Sequence, residues 1–150
     1  MLSGWLDWLQ RSVHIKCRGL SDEQAHATPL STSPRMSMAA VVSHLTAVEK
    51  GWLQHSFLGE RNTAASPTKE DAWAVEGRHI GEILAEYGAR NVRSQEILTI
   101  HELDDFEAYA PAGAEIVTLR WIVNHLVEET ARHLGHLDIL REMADGTRGH

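Results

Sequence analysis

Residues 127–142 read VEETARHLGHLDILRE, and they decide how the rest of the chain is read. An ideal helix turns about 100° per residue, so each side chain can be given a direction. With Leu119 as origin, Leu126, Thr130, Leu137 and Ala144 fall within about 20° of one line, and Ile122 and Leu140 lie about 60° to one side. This is the apolar stripe of an amphipathic helix. His133 falls inside it, near −40°, and Glu129 lies at its edge, near −80°, while Glu128 points to the opposite face. The two adjacent glutamates are therefore not equivalent: Glu128 should face water and Glu129 should turn toward the core.

A carboxylate and an imidazole four residues apart on one face are neighbours able to grip the same ion. The same pair also suits a surface Glu–His contact, or a core histidine bonded to a carbonyl. Only a third donor from elsewhere separates these readings. His125 and His136 lie on the Glu129 side of the helix, near −120° and −100°, where either can add to a coordination shell or support it.

Outward from this stretch, the helix is expected from about Thr118 to Ala144, with Asp145-Gly146 as its stop. Three more helical segments precede it. From Leu2 to about Arg18, Leu2, Trp5, Leu6, Leu9, Val13 and Cys17 recur at the helical period. The Ser-, Thr- and Pro-containing run GLSDEQAHATPLSTSPR reads as a loop. Ser37 then supplies an N-cap for MAAVVSHLTAVEKGWLQHSFLG, which stops at Gly59. A third helix is expected from about Lys69 to Leu98, with Ile80, Ile83, Leu84 and Tyr87 on one face. The acidic stretch HELDDFEAYAPAGAEIV, with Pro111 and Gly113, reads as a connection crossing the molecule. No segment alternates with period two. The expectation is an all-α fold, a four-helix bundle in one domain spanning residues 1–150, with functional side chains facing the bundle interior.

Bulk properties narrow the function. A net charge of −7 and scattered Lys and Arg disfavour nucleic acid as a partner. No run of about 18 apolar residues suggests a membrane span, and the N-terminus does not resemble a signal peptide, so a cytoplasmic location is expected. The single cysteine, Cys17, excludes an internal disulfide and a cysteine-rich zinc module. Its place on an apolar stripe marks it as an inert buried thiol. Any metal must then be held by nitrogen and oxygen. Of the ten histidines, His14, His26, His55, His79, His101 and His150 lack a surrounding constellation and read as surface or loop residues.

In the second helix, Met38, Val41, Leu45, Val48 and Trp52 form the stripe. His44 sits on its flank, about 100° from the centre, where it can reach a neighbouring helix. Glu49 falls within the stripe, and a buried carboxylate there needs a partner. It can support the ligands, accept a proton, or form a structural ion pair. Trp52 and Trp121 read as packing residues and Arg120 as a solvated one.

The segments SHLTAVEKGWL and LRWIVNHLVEETARHLGHLDILRE, with the spacing between them, resemble the DinB-like superfamily of metal-dependent four-helix bundles. It includes mycothiol- and bacillithiol-dependent S-transferases and mycothiol-dependent maleylpyruvate isomerase. The resemblance covers nearly the whole chain. It implies long crossover connections between helices and a homodimer. It also implies a metal triad of one histidine from the second helix and two residues four apart on the fourth, which in this sequence are His44, Glu129 and His133. Family members often carry glutamine three residues after the last ligand; here His133-Leu134-Gly135-His136 places histidine there.

Two imidazoles and a carboxylate leave at least one coordination position open on a divalent ion, with zinc expected and nickel, iron or manganese compatible. At such an ion a coordinated thiol is favoured as thiolate, which is the nucleophile. The function expected is metal-dependent transfer of a low-molecular-weight thiol, mycothiol by resemblance, to an electrophile, or isomerisation of a thiol adduct. The partners are then a small-molecule thiol and an electrophile. Two alternatives share the same residues: a metal-dependent hydrolase using bound water with Glu49 or His136 as proton acceptor, and a non-catalytic metal-binding helical dimer.

Overall fold

A computed structural model describes residues 1–60 and 71–149. Among the described residues there are five α-helices: α1 (Leu2–Cys17), α2 (Asp22–His26), α3 (Met38–Glu49), α4 (Ile80–Ile100) and α5 (Leu119–Asp145). α3 runs on without a break as a π-helical segment, Lys50–Phe57, and one 3-10 turn occupies Asp71–Trp73. The fold is all-α, and among the described residues the only β-type pairing is an isolated bridge between Phe106 and Thr118. No described helix is long and apolar enough to cross a membrane.

Local chemistry sets the helix ends. Thr118 caps α5 by accepting the Trp121 N–H, and Gly146, at φ 77°, closes it in the left-handed conformation that glycine adopts without strain. Ser37 caps α3 in the same way, through Ala40 N–H. Two expectations need correction. The run 19–35 is not all loop: Ser21 and Gln24 form a reciprocal capping box that starts the short helix α2. The third long helix begins well after Lys69, a position outside the described residues. Gly77, at φ 75°, breaks the backbone ahead of it. The first turn of α4 is then capped from another element, because Asp22 of α2 accepts the Ile80 N–H at 2.7 Å and contacts His79 Nδ1 at 2.6 Å.

The long helices form a ring in which α1 neighbours α5, α5 neighbours α3, α3 neighbours α4, and α4 neighbours α1. α1 and α3 are thus diagonal, as are α4 and α5, and the long stretches 18–37 and 101–118 make those crossings. The second of these also folds back on the π segment, where Ala108 and Tyr109 donate N–H groups to Phe57 and Ser56 carbonyls.

The interior has two apolar ends. One cluster gathers Val13, Met38, Val41, Leu45, Ile83, Tyr87, Leu137 and Leu140; the other gathers Leu6, Leu53, Phe57, Ile97, Leu119, Ile122 and Leu126. Every long helix crosses from one cluster to the other, and near the crossing each carries buried polar residues: Gln10 on α1, Glu49 on α3, Ser94 on α4, and Glu129, Thr130 and His133 on α5. A polar layer therefore cuts the bundle at mid-height. Burial of these groups is tolerated only because they find partners in one another.

Candidate metal centre

Three side chains in that layer converge. His44 on α3 and Glu129 and His133 on α5 each offer one ligand atom, and all three atoms lie within 4.8 Å of one another. His44 Nε2 is 3.0 Å from Glu129 Oε1, and His133 Nε2 is 3.2 Å from the same oxygen. Glu129 is 7% exposed and His133 5%, whereas Glu128 faces solvent. The helical phase read from sequence thus separates the glutamates as they are found.

Burial lowers both histidine pKa values to about 4: for His44 the Arg132 charge adds to the effect, and for His133 the neighbouring His44, His136 and Arg132 do. Both rings are therefore neutral at pH 7, and their contacts with Glu129 are hydrogen bonds rather than ion pairs. Neutral imidazole is also the form that binds a metal. Arg132 donates to Glu129 Oε2, which leaves Oε1 to face the two Nε2 atoms. A tetrahedral ion with bonds of about 2.1 Å holds its ligand atoms about 3.4 Å apart. The 3.0 and 3.2 Å separations are near that figure and the three atoms stay within 4.8 Å of one another, so the donor set suits a divalent ion in its chemistry, with a small closing movement of the imidazoles needed for all three to bind.

His44 and Glu129 line a cleft of about 1160 Å³, and His133 lies behind them, off its lining. One wall is His44, Ala47, Val48, Gly51, Trp52, His55 and Ser56, a continuous face of α3 and its π extension; α5 adds Trp121, His125, Glu129 and Arg132, and the 107–117 connection forms the roof. π-Helical stretches widen the helical turn and often mark functional sites. Trp52, Trp121 and His125 cluster on one wall, with the His125 ring stacked on Trp121 at 5.4 Å. Trp73, from the 3-10 turn, stacks on the His44 ring at 4.5 Å and 19°. The roof is pinned by Glu107, which accepts the Val117 N–H and contacts Ser56 Oγ at 2.6 Å.

The remaining residues singled out from sequence fall elsewhere. Glu49, 1% exposed, is held by Gln10, Asn91 and Ser94 from α1 and α4, and it is not among the residues lining the cleft. His136 Nδ1 lies 3.2 Å from His133 Nδ1, on the far side of that ring from Glu129. Arg120 pairs with Asp104 at the surface. Cys17 is buried, and burial pushes its thiol up to about 12, so it holds its proton. His14 and His26 are partly buried, bonding Asn91 and the Arg78 carbonyl, and His79 is on the surface. His55, expected at the surface, lines the cleft instead: eleven residues after His44, it falls about 20° from it on the same helical face. His150 is outside the described residues.

Sequence reasoning missed Trp73, Arg132 and the roof residues Glu107 and Tyr109. Arg132 was within reach, since it lies three residues after Glu129 on the same helix. Trp73 and the roof come from segments without periodicity, where sequence gives no direction.

A family model described as mycothiol-S-transferase matches residues 1–146 of the chain. Neither the curated proteins nor the solved structures contain a match to it.

Proposed function

Because the chain belongs to the mycothiol S-transferase family, we propose that it transfers mycothiol, or a closely related low-molecular-weight thiol, to an electrophile bound in the cleft beside His44, Glu129 and His133. The observation that carries this reading is the convergence of two neutral imidazoles and one carboxylate, two of the three lining a large, mostly apolar cleft.

His44, Glu129 and His133 would hold a divalent ion, zinc by the nature of the donors. When bound, such an ion supplies positive charge that favours the ionised form of a thiol and leaves a coordination position for it. The chain does the rest. Arg132 orients Glu129 by holding its second oxygen. Trp73 fixes the plane of the His44 ring, and Trp52 and Trp121 wall off water, which would compete with the thiol as nucleophile. His125 lies one helical turn from Glu129, on the cleft wall. Burial lowers its pKa, so the ring stays uncharged where it stacks on Trp121 and adds a polar edge to the cleft wall. Glu49 is assigned to the support of the polar layer, since its oxygens are already engaged across α1 and α4.

The test is turnover of a halogenated electrophile, chlorobimane or chlorodinitrobenzene, which loses chloride as the carbon–sulfur bond forms, by metal-loaded protein, with mycothiol, with other small thiols and with none. Conjugate formed only with an added thiol, and lost in His133→Ala, is the expected outcome. Consumption of the electrophile or an ester at the same rate without thiol would overturn the transferase reading in favour of hydrolysis.

A further inference from the structure

His136 bears on the triad through one atom. A histidine that gives one ring nitrogen to a metal carries its proton on the other, and that N–H needs an acceptor to fix the tautomer and the ring plane. In His133 the nitrogen turned toward Glu129 and His44 is Nε2, so the proton of the ligating form must sit on Nδ1. The partner at His133 Nδ1 is His136 Nδ1, at 3.2 Å. Two neutral rings meeting through these atoms share a single proton. If it belongs to His136, His133 is left with its proton on Nε2 and cannot coordinate. If it belongs to His133, Nε2 presents its lone pair to the triad.

In this geometry His133 Nε2–H donates to Glu129 and His136 Nδ1–H to His133; we infer that His136 is a positioning residue of this site, because once His133 Nε2 is given to a metal, His136 can shift its own proton to Nε2 and accept the His133 Nδ1–H, supporting the tautomer of His133 that binds metal. The inference rests on the metal reading of His44, Glu129 and His133. It gives a physical reason for a polar residue three positions after His133, on the flank of the apolar stripe. Glutamine would offer an acceptor at that distance too; leucine or alanine would not.

The experiment uses the untagged full chain, titrated with zinc against a chromogenic chelator, as wild type, His133→Ala, His136→Leu and His136→Gln, with the fold of each checked by circular dichroism. The expected results are tight binding by wild type, none by His133→Ala, roughly ten- to hundred-fold weaker binding by His136→Leu, and recovery to within about threefold by His136→Gln. Nitrogen-15 histidine spectra of the zinc-loaded wild type give a second measurement that needs no variant to fold. They should show His133 protonated at Nδ1 and His136 at Nε2. Binding by His136→Leu as tight as wild type, or a zinc-loaded protein with the proton on His136 Nδ1, overturns the inference while leaving the metal reading intact. Failure of wild type to bind zinc, or binding undiminished in His133→Ala, removes the metal reading and this inference with it.

Discussion

At the scale of the residue, the fate of each ionisable group follows from what surrounds it. Glu128 and Glu129 are adjacent, yet a 100° step puts one in water and the other in the polar layer. That difference was legible in the sequence because α5 is long and its period is unbroken. The fate of Glu49 was legible only in part. Its burial followed from its place on the stripe, but its partners Gln10, Asn91 and Ser94 come from helices whose relative height no periodicity fixes. Burial raises its pKa, and the three hydrogen bonds with the Arg90 charge oppose that rise without cancelling it. The sign follows by linkage. Above the ordinary value of 4.5 the unfolded chain has released this proton while the folded chain still holds it, so stability from this group falls as pH rises toward the raised value and is level beyond it. Glu49→Gln should remove that component. Urea unfolding measured from pH 4.5 upward is expected to give a flatter pH dependence in the variant; an identical slope would show that Glu49 is ionised throughout.

At the scale of the element, ends and breaks matter more than periodicity. The sequence marked the bounds of α5 closely, because Thr118 and the Asp145-Gly146 pair are local signals. It misplaced the start of α4, because the cap on that helix is Asp22, far away in the chain. It could not show the change from α- to π-helix after Glu49, since no residue type encodes a five-residue hydrogen-bond ring. Within that segment His55 and Ser56 line the cleft beside Trp52. The cap of α5 has a measurable weight. Thr118→Ala removes the acceptor for the Trp121 N–H and should cost about 1 kcal/mol, seen as a lower midpoint in chemical denaturation. Thr118→Ser should restore most of the loss, and an unchanged midpoint for the alanine variant would mean that water replaces the cap.

At the scale of the whole molecule, the bundle is two apolar clusters joined through a polar layer, and His44 and Glu129 are the part of that layer that lines the cleft. The all-α architecture was readable from four periodic segments. The identity of the His44 partner was suggested by resemblance, and its physical basis is that α3 and α5 are ring neighbours, which places two helices distant in sequence side by side. The roof over the cleft was not readable, because the 101–118 crossing is held by backbone hydrogen bonds to the end of the π segment rather than by a side-chain pattern. We propose that Glu129, with His44 and His133, binds one metal ion per chain. The sharpest test is the metal content of untagged protein after zinc loading and desalting, with wild type beside Glu128→Gln and Glu129→Gln. About one ion per chain is expected in wild type and in Glu128→Gln, and roughly a tenth of that or less in Glu129→Gln, where a neutral amide replaces the carboxylate. Equal metal in Glu129→Gln and wild type would contradict it.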